Sequence, residues 1–421
     1  MSRFSHSRVR ARLAWTASTV LALSLGSVAI GHAQTSSTPP LTLPLAFAQA
    51  WERQPEAAAL LQRRQAGESL RQAASNWTPA PAALEASVRS DRFNRRQGAQ
   101  ELEFGVAVPL WLPGERERSQ ALADAHLDAV ERQALLAQWQ LAQSLREHWW
   151  GLLREREELR AAQERLQSTQ ALASDVARRV KAGELSRADQ NQADAAVLLA
   201  VSDQAQAHTR VMASEQSMRA LLGLPAEAAL LMAPTPEPEP AGDAPAHPLL
   251  AALQAKAQTA RSAAALAKAQ VRASPELTLL HTRDRAARGE ASNGTVTLGL
   301  RFPLGSSDRN KAAVLSAGAE QTEAEVLLAR ERERLMAEQR SAQSALDAAR
   351  AVLQATRDRA RLADETRQFF DKSFRLGETD LPTRLRVELE AGQAQRDLAR
   401  ARIDLNLAIA TLRQRLGLLP E

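Results

Sequence analysis

A histidine beside a carboxylate can move a proton, and the sequence offers one such pair, in Glu147-His148-Trp149-Trp150. Nothing around it completes a mechanism. The chain has no HExxH, GxSxG, GxxxxGK[ST] or CxxC pattern and no Cys. Beyond the first 33 residues its histidines are His126, His148, His208, His247 and His281, too scattered for the ligand spacing of zinc or copper. Trp149 reads as core packing on a long helix, with His148 on the next face. Catalysis, a resident metal and a bound cofactor are therefore not expected.

The remaining candidates are residues that bind rather than react. Val180-Lys181-Ala182-Gly183-Glu184-Leu185-Ser186 and Phe374-Arg375-Leu376-Gly377-Glu378-Thr379 each place a Gly and an acid between two long stretches without internal breakers. A Gly is needed where a helix ends and the chain reverses. Taken alone, each is a helical hairpin turn.

The flanking stretches set the scale. Glu115 to Lys181 contains no Pro and a single Gly, Gly151, which predicts one helix of about 100 Å. Leu145, Leu152, Leu159 and Leu166 recur every seventh residue, the spacing of a coiled coil. Asp308 to Arg375 repeats the design. Return helices are expected over Leu185–Leu222 and Asp380–Leu416, the latter with Leu398, Leu405 and Leu412 in heptad register. Aromatics are only 4% of the chain, a composition of long helices rather than of a large compact core.

Two segments per half break the helical period. Leu102, Phe104, Val106, Val108 and Leu110 alternate with smaller or polar residues, and Val296, Leu298, Leu300, Phe302 and Leu304 do the same. This is the pattern of a strand with one apolar face, at a length that crosses a membrane when tilted. Leu84, Ala86 and Val88, and then Leu277 and Leu279, mark hairpin partners, with polar loops expected at Arg92–Gln100 and Arg283–Asn293. Four strands cannot close a barrel around a channel, so several chains would have to contribute. Two half-buried hairpins packed on helices are the alternative.

The halves align at one offset. Gly105-Val106-Ala107-Val108-Pro109-Leu110 falls on Gly299-Leu300-Arg301-Phe302-Pro303-Leu304, Ala182-Gly183-Glu184 on Leu376-Gly377-Glu378, and Leu222-Gly223-Leu224 on Leu416-Gly417-Leu418. The chain reads as a duplicated unit of one helix, two strands and two helices, over 34–232 and 249–421. A Pro-rich connector at 233–248 separates the units. Residues 1–33 read as a secretory signal peptide: Arg3, Arg8, Arg10 and Arg12, an apolar run to Ile30, and cleavage after Ala33. A membrane anchor is the alternative reading of that segment. Removing those four Arg from the formal charge of +5 leaves +1, which withdraws the case for nucleic-acid binding.

This repeated order, with its Val-Pro-Leu and Phe-Pro-Leu strand-to-helix junctions and Leu-Gly-Leu helix ends, resembles the TolC-like outer-membrane efflux family. The resemblance implies a mainly α fold contributing to a transmembrane β-barrel: a homotrimer with a twelve-stranded barrel in outer-membrane lipid and a long α-helical periplasmic tunnel. It implies that Leu102, Phe104, Val106, Val108, Val296, Leu298, Leu300 and Phe302 face lipid. It implies a periplasmic tip that docks a membrane-fusion adaptor, at Lys181, Ala182, Gly183, Glu184, Leu185, Arg375, Leu376, Gly377, Glu378 and Thr379. The energy would come from an inner-membrane transporter, of the RND type. An acidic gate ring matches Asp189 only, because Thr383 and Arg386 stand where the second half would need acids. Arg187, Arg384 and Arg386 could instead lock the closed state through ion pairs. Compact length and the Pro113-Gly-Glu-Arg-Glu-Arg118 run are similar to the heavy-metal cation branch. Drug export, type I secretion and a periplasmic coiled-coil rod remain as alternatives.

Overall fold

The computed structural model describes residues 40–93, 97–240, 246–304 and 308–421. The expected signal peptide, residues 1–33, lies outside the described residues. The chain runs α1 (Leu43–Glu52), α2 (Pro55–Ser75), β1 (Ala83–Ser90), β2 (Gln100–Pro109), α3 (Glu115–Lys181), α4 (Arg187–Leu222), α5 (Pro248–Ala269), β3 (Glu276–Arg285), β4 (Asn293–Arg301), α6 (Asp308–Arg375) and α7 (Leu381–Arg415).

The two long helices have the expected bounds. α3 starts where Pro113 and a left-handed Gly114 turn the chain, with Glu115 and Glu117 in its first turn and Arg178, Arg179 and Lys181 in its last. That order of charge suits the helix dipole. Between them, pairs such as Asp128–Arg132 and Arg160–Glu164 add support along the surface. Gly151 is tolerated because it is exposed and faces open space. α3 packs on α4 and α6 on α7, while α7 lies along α3 and α5 wedges between α3 and α6.

Four differences from the sequence reading have local causes. The first half begins with two helices, not one: Pro55 forces Gln54 into an extended conformation and splits α1 from α2. The second hairpin loop is shorter than Arg283–Asn293, because Arg283, Asp284 and Arg285 still pair with Leu102, Glu101 and Gln100. Phe302 falls just past β4, where Pro303 follows it, and its ring lies under the Arg272 guanidinium at 5.0 Å. α4 begins two residues late, because Ser186 caps it.

The main core sits at mid-length, where Leu145, Trp149, Trp150, Leu152, Met218 and Leu222 are fully buried beneath α1. Leu145 and Leu152 of the heptad run are its centre. Next to it, a buried polar cluster ties the Pro-rich stretch to both halves. Arg146 donates to both oxygens of Glu237, at 2.9 and 2.6 Å, and Arg413 lies 3.3 Å from the same carboxylate. Arg146 also donates to the Leu418 carbonyl, and Arg413 to the Pro238 carbonyl. The Trp139 indole donates to the Gln414 carbonyl, and the Gln414 amide returns a bond to the Trp139 carbonyl, both at 2.8 Å. His247 stands edge-on to Trp139, and burial pushes its pKa down.

Candidate functional site

Two regions carry the residues that the sequence singles out. The first is the sheet. Its order is β1-β2-β3-β4, antiparallel throughout. The register gathers the apolar positions on one face: Leu84 opposite Val106, Val106 opposite Leu279, Leu279 opposite Leu298. Val108, Leu277 and Leu300 form the next row, and Ala86, Phe104, His281 and Val296 another. The opposite face takes Glu85, Glu101, Glu103, Glu276 and Asp284, where Arg89 meets Glu101 at 2.8 Å and Arg301 meets Glu276 at 3.5 Å. All the candidate lipid-facing residues within the strands thus share one face. Leu298 and Val296 are about 70% exposed (71% and 68%), so no helix of this chain covers that face. Gly105 is closely approached: a Cβ there would lie 2.2 Å from a Leu280 methyl, which would have to shift, and 3.0 Å from the Leu279 carbonyl. β1 and β4 each leave one edge unpaired within the chain.

The second region is the pair of hairpin turns. Gly183 and Gly377 both have positive φ, +81° and +77°. Glu184 N–H donates to the Arg179 carbonyl and Gly183 N–H to the Val180 carbonyl. Glu378 to Ser373 and Gly377 to Phe374 repeat the motif. Each following helix is capped at once. Ser186 and Asp189 form a reciprocal capping box, and Asp380 accepts from Thr383 N–H at 3.1 Å. Asp189 and Thr383 are therefore equivalent cap positions of the repeat. The Ser186 hydroxyl and N–H hold the Asp189 carboxyl below its ordinary range.

The turns also share a core. Leu172, Val176, Ala193 and Leu381 enclose Phe374, which is 2% exposed. Its ring lies between two guanidiniums, Arg179 at 4.8 Å and Arg384 at 4.7 Å. Arg179 also donates to the carbonyls of Phe374 and Arg375, and Arg384 pairs with Asp371 at 2.6 Å. Arg386 pairs only with Glu390, on its own helix, and Arg187 has no ion pair among the described residues. Lys181, Ala182, Gly183, Glu184, Arg375, Leu376, Gly377 and Glu378 are all exposed, and Leu185 is half-buried beneath them. Sequence reasoning missed the grip of Arg179 on Phe374. The available signal was a break in the repeat, since Phe374 stands where the first half has Val180. A groove of about 720 Å³ opens beside this core among α3, α4, α6 and α7, and includes Arg165, Gln192, Leu199, Arg386 and Arg396.

No protein-family model matches the chain, and no curated protein matches it. Solved structures do. The outer-membrane protein VceC from Vibrio cholerae superposes with a TM-score of 0.73 at 16% identity, over 90% of this chain and 97% of that one. The CmeC outer-membrane channel of Campylobacter jejuni gives 0.72 at 12% identity, over 89% and 85%. CusC, described for its folding and transmembrane channel formation, gives 0.73 at 14% identity, over 89% and 92%. The chain has the fold of these outer-membrane channels, which is the TolC-like fold: mainly helical, with a small antiparallel sheet at one end.

Proposed function

We propose that this chain is one subunit of a trimeric outer-membrane channel, and that the channel is the passive exit duct of a tripartite efflux system. One observation carries the reading: a four-stranded sheet with an apolar face, a charged face and two open edges, continuous with helices about 100 Å long. An apolar outside and polar inside is what lipid and a water-filled lumen require of a barrel. Two open edges require neighbouring copies, because lipid offers no partner for free backbone groups. Three copies give twelve strands.

In this reading the exposed turns around Gly183 and Gly377 dock a periplasmic adaptor, and an inner-membrane pump supplies the energy. The Arg179–Phe374–Arg384 stack holds the two hairpins together at the periplasmic end, where the aperture closes. Among cargoes, the reading of metal cations rests on compact length. The Pro113–Arg118 run has another role, since Glu115 accepts the Leu112 N–H and a Gln270 amide bond to start α3.

The test is single-channel conductance of the purified protein in a planar bilayer, with its oligomer mass measured in the same detergent. A conducting trimer is expected. A monomer that never inserts would overturn the reading in favour of a periplasmic coiled-coil rod.

A further inference from the structure

The charges of the sheet are not shared evenly between its faces. Every carboxylate within the four strands, Glu85, Glu101, Glu103, Glu276 and Asp284, lies on the polar face by strand alternation. The apolar face carries cations only, and only at the end away from the helices. Along β3 that face reads Leu277, Leu279, His281, Arg283, Arg285, an apolar column that turns basic. Arg283 is exposed and has no hydrogen-bond or ion-pair partner among the described residues. Arg285 reaches back to the Gly98 carbonyl and the Gln100 side chain, neither of which neutralises it. The nearby acid at the loop base, Asp91, is used internally, accepting from the N–H groups of Gln97 and Gly98.

The register also leaves room for a ligand. Arg283 stands opposite Gly294, which has no side chain, and a Cβ at Gly294 would lie 3.5 Å from the His281 ring. The result is a shallow gap on the apolar face, with a guanidinium at its side and an imidazole one row below. Leu102 and Val88 continue the Arg283 row across the sheet. A guanidinium at that level borders hydrocarbon and needs an anion. A planar fork of N–H donors matches a phosphate group in both charge and shape.

We propose that Arg283 and Arg285, with His281 and the gap at Gly294, bind the phosphate of an anionic lipid headgroup in the outer leaflet. The proposal rests on the barrel reading above, which sets this face toward lipid. Its occupant is a phosphorylated lipid rather than a soluble anion, because the apolar rows of Leu279, Leu298 and Leu300 continue directly from the cations and would cover acyl chains.

The test uses the full mature protein in phosphatidylcholine vesicles with and without bisphosphorylated lipid A. The inserted fraction is recovered in mild detergent and its bound lipid A counted by native mass spectrometry. Wild type is expected to retain lipid A. Arg283→Gln with Arg285→Gln is expected to retain it about tenfold less tightly or worse, as loss of two charge-assisted contacts implies. Arg89→Gln, which removes a cation from the opposite face, is the folding control and should match wild type. Equal retention by the double variant, or equal loss in Arg89→Gln, would overturn the proposal. Displacement of the lipid by excess inorganic phosphate would show a soluble-anion site and overturn the lipid assignment. Wild-type protein that stays out of the vesicles would instead bring down the barrel reading, and this proposal with it.

Discussion

Glu237→Gln is the sharpest test of how the two halves are held together. The substitution keeps the shape of the side chain and removes its charge. Glu237 is 1% exposed at its side chain and lies against two guanidiniums that are each 3% exposed. Arg413 keeps a second carboxylate, Glu421, at 3.1 Å, but that group is 67% exposed and screened by water. Arg146 keeps only neutral acceptors, the Gln414 side chain and the Leu418 carbonyl. It becomes a buried charge without a counter-ion. Breaking a buried pair in this way costs about 3–5 kcal/mol, and the amide oxygen that remains places the expected loss near about 3 kcal/mol. The assay is the urea midpoint followed by tryptophan fluorescence, since Trp139, Trp149 and Trp150 are buried on the same helix as Arg146. Adding Arg146→Met to Glu237→Gln should recover at least about 1 kcal/mol, because the stranded charge is gone. A Glu237→Gln midpoint within about 0.5 kcal/mol of wild type would refute the argument, since that is the size of an ordinary surface change.

Two further outcomes follow from the helix ends. Gly377 and Gly417 have nearly the same positive φ, +77° and +82°, but a Cβ at Gly377 meets nothing within 4 Å, whereas one at Gly417 would lie 2.6 Å from Pro248 Cδ. Gly377→Ala should cost about 1–2 kcal/mol of backbone strain, and Gly417→Ala at least about 1 kcal/mol more from overpacking; equal midpoints in urea would count against that account. After the first hairpin turn, the Asp189 carboxyl is held below its ordinary value of 3.8 by the Ser186 hydroxyl and N–H. A lowered folded-state pKa means that the cap is complete above about that value and is lost as pH falls through the lower folded one. The protection of amides in the first turn of α4, relative to their intrinsic exchange at each pH, should therefore fall only in that acid range, and Ser186→Ala should lower it at neutral pH already. Protection unaffected by either change would remove the capping box from the turn's stability.

Periodicity made much of this fold readable. The bounds of α3 and α6 followed from the absence of Pro and from the Gly turns, and the strand faces from simple alternation. The one-offset repeat gave Gly183 and Gly377 the same role, which their matching bonds show. Contacts across long sequence distance were not readable. Glu237 lies among Pro residues and looks like an exposed linker acid, although its partners Arg146 and Arg413 sit on separate helices. Arg179 and Phe374 meet across 195 positions, and no local pattern marks either. Alternation alone runs on through Phe302 and Leu304, whereas β4 ends at Arg301, because Pro303 has no N–H to continue the pairing.

The unpaired edges of β1 and β4 have a consequence for heredity. They run in opposite directions, so in the proposed barrel the β4 edge of one copy would meet the β1 edge of the next, a head-to-tail contact that would close only as a complete ring. A copy that cannot offer one edge spoils every ring it enters. In a cell making equal amounts of sound and edge-damaged chain, only about one ring in eight of a three-copy assembly would be wholly sound. A defect in a single edge strand should therefore behave as a dominant trait, whereas a defect confined to folding of the lone chain should be recessive.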